Sequence, residues 1–241
     1  MNIRMFSRAA GCALVAGLLS ACGGGGGGGS DTAGGSTPPT ASTTSFALST
    51  GYRTRAASAA ADNFNVSGTC AGSAMITTDA AKPSTFEGVT GYSAAQVSTV
   101  SFSNCLPATG ITTGTTYFDS NYLPIGLSIV GGEYSKYESP PSALPATVKV
   151  GASADFAALT TYVDSTKSVV TGRRVWSYLI EADTASTVIA NIVTRGYNVS
   201  GQLLSTQQTR YRMVESGALT LLSIDVQFST TSTVHIVYMP R

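Results

Sequence analysis

Apolar and polar residues alternate with a period of two along most of the chain beyond residue 120. Leu222, Ile224, Val226 and Phe228 alternate with Ser223, Asp225 and Gln227; Val234, Ile236 and Tyr238 alternate with Thr233, His235 and Val237. Tyr211 and Met213 interleave with Arg210 and Arg212, and Trp176, Tyr178 and Ile180 share one parity. A period of two sends successive side chains to opposite faces of a strand. Long stripes of period 3.6 are missing, while Thr, Val, Ile and Tyr are abundant and turn residues recur about every ten positions. The pattern predicts an all-β fold: an antiparallel up-and-down meander forming a sandwich or a partly open barrel, with few short helices.

Strands are expected near 123–130, 133–138, 159–170, 173–182, 187–197, 203–215, 219–229 and 232–239. Gly131-Gly132 reads as a tight hairpin turn. Short connections favour antiparallel neighbours. Helical turns are expected around Arg55–Asp62, Ala94–Val100 and Ala152–Ala158. Ser139-Pro-Pro-Ser-Ala-Leu-Pro145 reads as an internal joint between two halves of one fold.

Because a slip by one residue flips a strand, the apolar faces register the last three strands. A two-residue turn at Gly217-Ala218 sets Arg210 opposite Asp225, and a three-residue turn at Ser229–Thr231 sets Asp225 opposite His235. A polar row Arg210–Asp225–His235 is therefore expected on one face. A carboxylate beside the only His is able to orient a general base. The plainer reading is a cross-strand charge row worth about 0.2–1 kcal/mol per pair.

The N-terminal end breaks the pattern. Arg4 and Arg8 precede an uncharged stretch, Ala9 to Leu19, which is too short to span a bilayer. It runs into Leu19-Ser20-Ala21-Cys22. That tetrapeptide resembles the lipobox of bacterial lipoproteins. The resemblance implies cleavage before Cys22, diacylglycerol on its thiol and acylation of the freed amine, with several chains giving firm anchoring where one gives little. Gly23 rather than Asp after the cysteine implies, by Gram-negative sorting rules, the outer membrane. Seven consecutive glycines follow, Gly23 to Gly29, in a Gly/Ser/Thr/Pro-rich stretch. About 22 residues of such coil span roughly 25 Å. The expected organisation is a signal peptide at 1–21, a flexible tether at 22–44 and a single β-domain at 45–241. The layout resembles Gram-negative lipoproteins built as lipobox, glycine-rich stalk and β-domain.

Composition narrows the chemistry. Charged residues are 11% and the net charge is +1, which excludes a strongly basic nucleic-acid binder. Ser and Thr together number 63 of 241, and hydrophobic residues at 43% suffice for a core. With Cys12 lost in the signal and Cys22 acylated, Cys70 and Cys105 remain, a pair expected to be oxidised in an exported domain. One His excludes a His-rich metal site, and no calcium loop or phosphate-binding glycine loop is present, so neither metal nor cofactor is expected. Gly126-Leu-Ser-Ile-Val130 lacks the second glycine of a hydrolase elbow and reads as a core strand. Glu133 and Glu138 flank Tyr134 and Tyr137, either a sugar-binding edge or ordinary sheet surface; Glu181 and Asp183 share a parity; Trp176 reads as core.

Three functions follow. The first is an outer-membrane-anchored lipoprotein whose non-enzymatic β-domain binds a protein, glycan or lipid, or serves envelope structure. The second is a carrier of hydrophobic ligands, which requires a sizeable apolar cavity inside the strands of 159–239. The third is an envelope hydrolase, which requires a nucleophile within reach of His235 in a concave pocket.

Overall fold

The computed structural model describes residues 42–229 and 233–241. The expected signal peptide, Cys22 and nearly all of the tether lie outside the described residues. One helix, α1 (Leu48–Ala57), precedes thirteen strands: β1 (Ala60–Gly68), β2 (Gly72–Thr78), β3 (Lys82–Phe86), β4 (Val89–Phe102), β5 (Thr109–Phe118), β6 (Pro124–Ile129), β7 (Tyr134–Tyr137), β8 (Ser153–Tyr162), β9 (Val170–Ala182), β10 (Thr187–Asn198), β11 (Leu203–Val214), β12 (Leu219–Ser229) and β13 (Thr233–Pro240).

Each strand pairs antiparallel with its chain neighbour around most of the sheet, and β13 returns to pair with β1. The ring closes because β4 is long enough to hold two partners on one edge: Phe102 to Gln96 pair with β2, and Ser93 to Val89 pair with β3. The result is a closed twelve-strand meander with β3 as a spur, so closure removes the open edges that a partly open barrel would leave. Cys70 and Cys105 form a disulfide that ties the β1–β2 turn to the β4–β5 loop.

Alternation sorts the side chains. Phe64, Val66, Ala74, Ile76, Val226, Ile236 and Tyr238 face inward and form one apolar cluster. Trp176, Tyr178, Ile180, Val188, Ala190, Ile192 and Met213 form a second, completed by Phe46, Leu48, Leu144 and Val148. The proline-rich stretch after β7 therefore folds inward as part of the core; Phe46 and Val148 exchange two backbone hydrogen bonds of 2.8 and 2.9 Å. Outward positions on β1, β2, β4 and β5 are mostly polar, among them Asn63, Asn65, Ser67, Ser73, Thr77, Thr99, Ser101 and Thr113, with Met75, Val97 and Ile111 interspersed. A membrane-spanning barrel needs the reverse, an outward apolar band about 25 Å tall. Among the described residues no helix is long and apolar enough to cross a membrane.

Three local expectations change. The helix occupies Leu48–Ala57 rather than Arg55–Asp62, with its start held by the β11–β12 turn, where Ala47 N donates to Glu215 O at 3.1 Å. Ala94–Val100 belongs to β4 and Ala152–Ala158 to the start of β8. The helical preference of their alanines yields to ladder pairing: Ala94–Val100 with β5 and, from Gln96 on, with β2, and Ser153–Ala158 with β9. The strand expected at 159–170 ends at Tyr162, because Asp164 Oδ1 captures the Thr166 N–H at 2.9 Å and Lys167 takes a φ of 58°, turning the chain.

Candidate functional site

Two apolar clusters occupy the interior. Between its two apolar clusters lies a polar seam in which Arg55 Nη2 meets Asp62 at 3.2 Å and Gln207 Nε2 donates to Thr209 at 2.9 Å. The hollow there is about 100 Å³, room for a few waters and not for an acyl chain. A hollow of that size falls short of the sizeable apolar cavity that a carrier requires. Trp176 is buried in the core cluster.

The last three strands keep their expected faces but not their expected register. Arg210 stands opposite Ser223, and Asp225 opposite Gln208 and Val237. The β11–β12 connection is wider than two residues: Met213 pairs with Leu219. The bulge at Arg210/Tyr211 takes one step back, so the slip beyond it is two and the parity survives. His235 Nε2 lies 3.0 Å from Asp225 Oδ2, a diagonal contact rather than a directly opposed pair. Arg210 turns the other way, to Gln208 at 2.9 Å and Glu181 at 3.4 Å. The three residues thus share a face, but Arg210 makes no contact with the Asp225–His235 pair. The His235 side chain is 43% exposed, and its ring has Asp225 as its hydrogen-bond partner among the described residues, with no nucleophile in reach.

Arg210 belongs instead to a network on the outer face of β9–β11. Asn191, fully buried, donates to Glu181 at 2.7 Å and Gln208 at 2.8 Å. Arg195 reaches Ser177 at 3.3 Å and Asp155 at 3.5 Å. Asp183, at the β9–β10 turn, is clasped by Arg212 at 2.6 Å and Thr187, which hold its carboxyl below the usual range.

The two glutamates flanking the tyrosine pair part company. Glu133 points inward to the buried Arg174, with two contacts of 2.6 and 2.7 Å, and is itself partly buried; Ser135 donates to it as well. Glu138 points outward to the Nε of Arg173 at 2.8 and 2.9 Å. Successive arginines on β9 thus serve opposite faces. Tyr134 is outward too, and donates to Glu87 at 2.7 Å.

Glu87 was not singled out by the sequence. It sits at the tip of the β3–β4 hairpin with φ 50°, followed by Gly88 at φ 84°, the two-residue turn that asks for positive φ at both positions. The tip folds over the barrel's outer wall. Phe86 stacks on Tyr117 with centroids 4.2 Å apart and fills the space over Gly126, where a Cβ would lie 2.2 Å from the ring. Lys167 at 2.6 Å, Tyr134 and Lys136 at 2.9 Å close on the Glu87 carboxylate and lower its pKa to about 2. This clasp is structural: every group in it is satisfied by another.

A groove of about 450 Å³ is lined by Thr160, Val170, Gly172, Arg173, Tyr197, Asn198, Val199 and Gly201. It lies on the outer face at the end of the barrel that carries the β8–β9 and β10–β11 turns. No protein-family model matches the chain, and neither a curated protein nor a solved structure matches it.

Proposed function

We propose that the chain is an outer-membrane lipoprotein, anchored through Cys22 and carrying on its tether a barrel that binds with its outer surface rather than its interior. The observation that carries the binding half is the packing of the lumen: two apolar clusters occupy it and the hollow between them is only about 100 Å³, whereas a groove of about 450 Å³ lies on the outside. The polarity of the fold supports the tethered arrangement. The chain enters beside the β11–β12 turn, so the opposite pole, roughly 35–40 Å away along the twelve residues of β11, faces away from the point of attachment. The anchor itself is supported by the Leu19-Ser20-Ala21-Cys22 sequence and the glycine run behind it. Neither the Asp225–His235 pair nor Glu133 supports a hydrolase: no nucleophile is within hydrogen-bond reach of the first among the described residues, and the second is held in an ion pair by Arg174. Metabolic labelling with an alkyne fatty acid is the test. Wild-type chain should take the label and sediment with outer membranes, while Cys22→Ser should do neither; equal labelling, or none in either, sinks the reading.

A further inference from the structure

We propose that the groove between the β8–β9 and β10–β11 ends binds a neutral, hydroxyl-rich ligand, the end of a glycan chain; this deepens the binding reading above and rests on it. Arg173 supplies the central argument. Its Nε is committed to both oxygens of Glu138, while its terminal nitrogens have no partner among the described residues. The guanidinium is half exposed, so its free donors face the groove with their charge already balanced. Tyr197, directly opposite Arg173 in the β9–β10 ladder, brings a hydroxyl likewise without a hydrogen bond among the described residues. Thr160, opposite Arg173 on β8, adds an Oγ1 whose contact to Glu138 is a long 3.5 Å.

The charge balance selects the ligand class. A free anion would gain from Arg173 but meet the Glu138 carboxylate beside it, and a free cation would meet the reverse. A hydroxyl group both donates and accepts, so neighbouring hydroxyls on a sugar match an arginine donor pair flanked by a carboxylate. The apolar remainder fits the same ligand. Val170 is 48% exposed and Val199 69% exposed at the groove's rim, giving C–H surface for the non-polar face of a sugar ring. The volume falls within the ordinary range for small-ligand sites. The groove's pole faces away from the tether's entry, so a chain of sugars has room to extend.

The experiment is calorimetric titration of the full chain, purified in detergent, with chitopentaose, cellopentaose and maltopentaose, and with inorganic phosphate as the anionic probe. At least one oligosaccharide should bind, and Arg173→Ala and Val199→Asp, checked for wild-type melting, should each weaken it about tenfold or more, the size expected for losing a charged hydrogen bond. Flat titrations with all three sugars, binding unaffected by either substitution, or phosphate binding more tightly than any sugar would each overturn the proposal. A missing fatty-acid label at Cys22 removes the anchor and leaves this result standing; sugar binding untouched by the two variants moves the ligand off the groove and leaves a binding barrel.

Discussion

On β9 and β10 both faces of the sheet are buried, whereas on β1 and β2 only the inward face is. Val175, Trp176, Ser177 and Tyr178 are buried in succession, as are Ala190 through Thr194. On the opposite wall Phe64 and Val66, or Ala74 and Ile76, alternate with exposed or partly exposed neighbours. The β9–β10 wall is double-sided because long polar side chains on its outer face lie down and bond to one another, Arg195 over Ser177 and Glu181, Gln208 and Arg210 around Asn191. The β1–β2 wall has mostly short Ser, Thr and Asn side chains outside, which make few contacts with one another and leave the sheet wet. It is tied at one end by the disulfide instead. One barrel therefore uses two routes to rigidity, dense two-sided packing with internal ion pairs and one-sided packing with a covalent tie.

The largest test of this contrast lies in the first route. Glu133→Ala strands Arg174 in the interior, and removing one partner of a buried pair costs about 3–5 kcal/mol. Replacing both residues together, Glu133→Leu with Arg174→Met, should recover most of that loss in denaturant melts. If the single and double variants melt alike, the pair is not what holds β7 to β9.

Next comes the second route. Cys70→Ser with Cys105→Ser opens a loop of 35 positions, which chain entropy values at about 3–4 kcal/mol. Hydrogen exchange should rise first in β1, β2 and β4 while β9 and β10 stay protected. Uniform loss of protection across both walls would erase the distinction.

The smallest effect sharpens the boundary between them, where the β3–β4 tip is clasped. The folded Glu87 pKa, about 2, lies below the ordinary carboxyl value of 4.5, so the clasp stabilises fully above about pH 4.5 and loses its contribution as pH falls toward 2. The melting-temperature gap between wild type and Glu87→Gln should therefore be widest at neutral pH and close under acid. A gap independent of pH would show that the carboxylate is not what Lys136 and Lys167 hold.

How far the sequence could be read followed the same division. The period-two alternation of β12 and β13 was legible because one face of each is wet, and it set their faces correctly even though the turn lengths, and so the register, came out two residues away. Parity is protected by the cost of exposing a whole apolar face; register within a parity is decided by bulges and turn widths that residue type barely signals. The split of Glu133 from Glu138 could be suspected from their odd and even numbers, but not their partners. Glu87, Phe86 and Gly126 carried no signal, because they are forty residues apart in the chain and meet only when the hairpin folds over the wall.

Local pattern and composition by themselves determined the all-β class, the antiparallel order and the cysteine pair. Each of these follows from short-range alternation or residue chemistry. Tertiary structure alone decided that the barrel closes, that two apolar clusters meet across a polar seam in its lumen and that a groove beside Arg173 opens on its outside. Closure depends on one strand, β4, being long enough to pair with both β2 and β3, and filling depends on segments distant in the chain arriving in the same space; neither is a property of any stretch read alone.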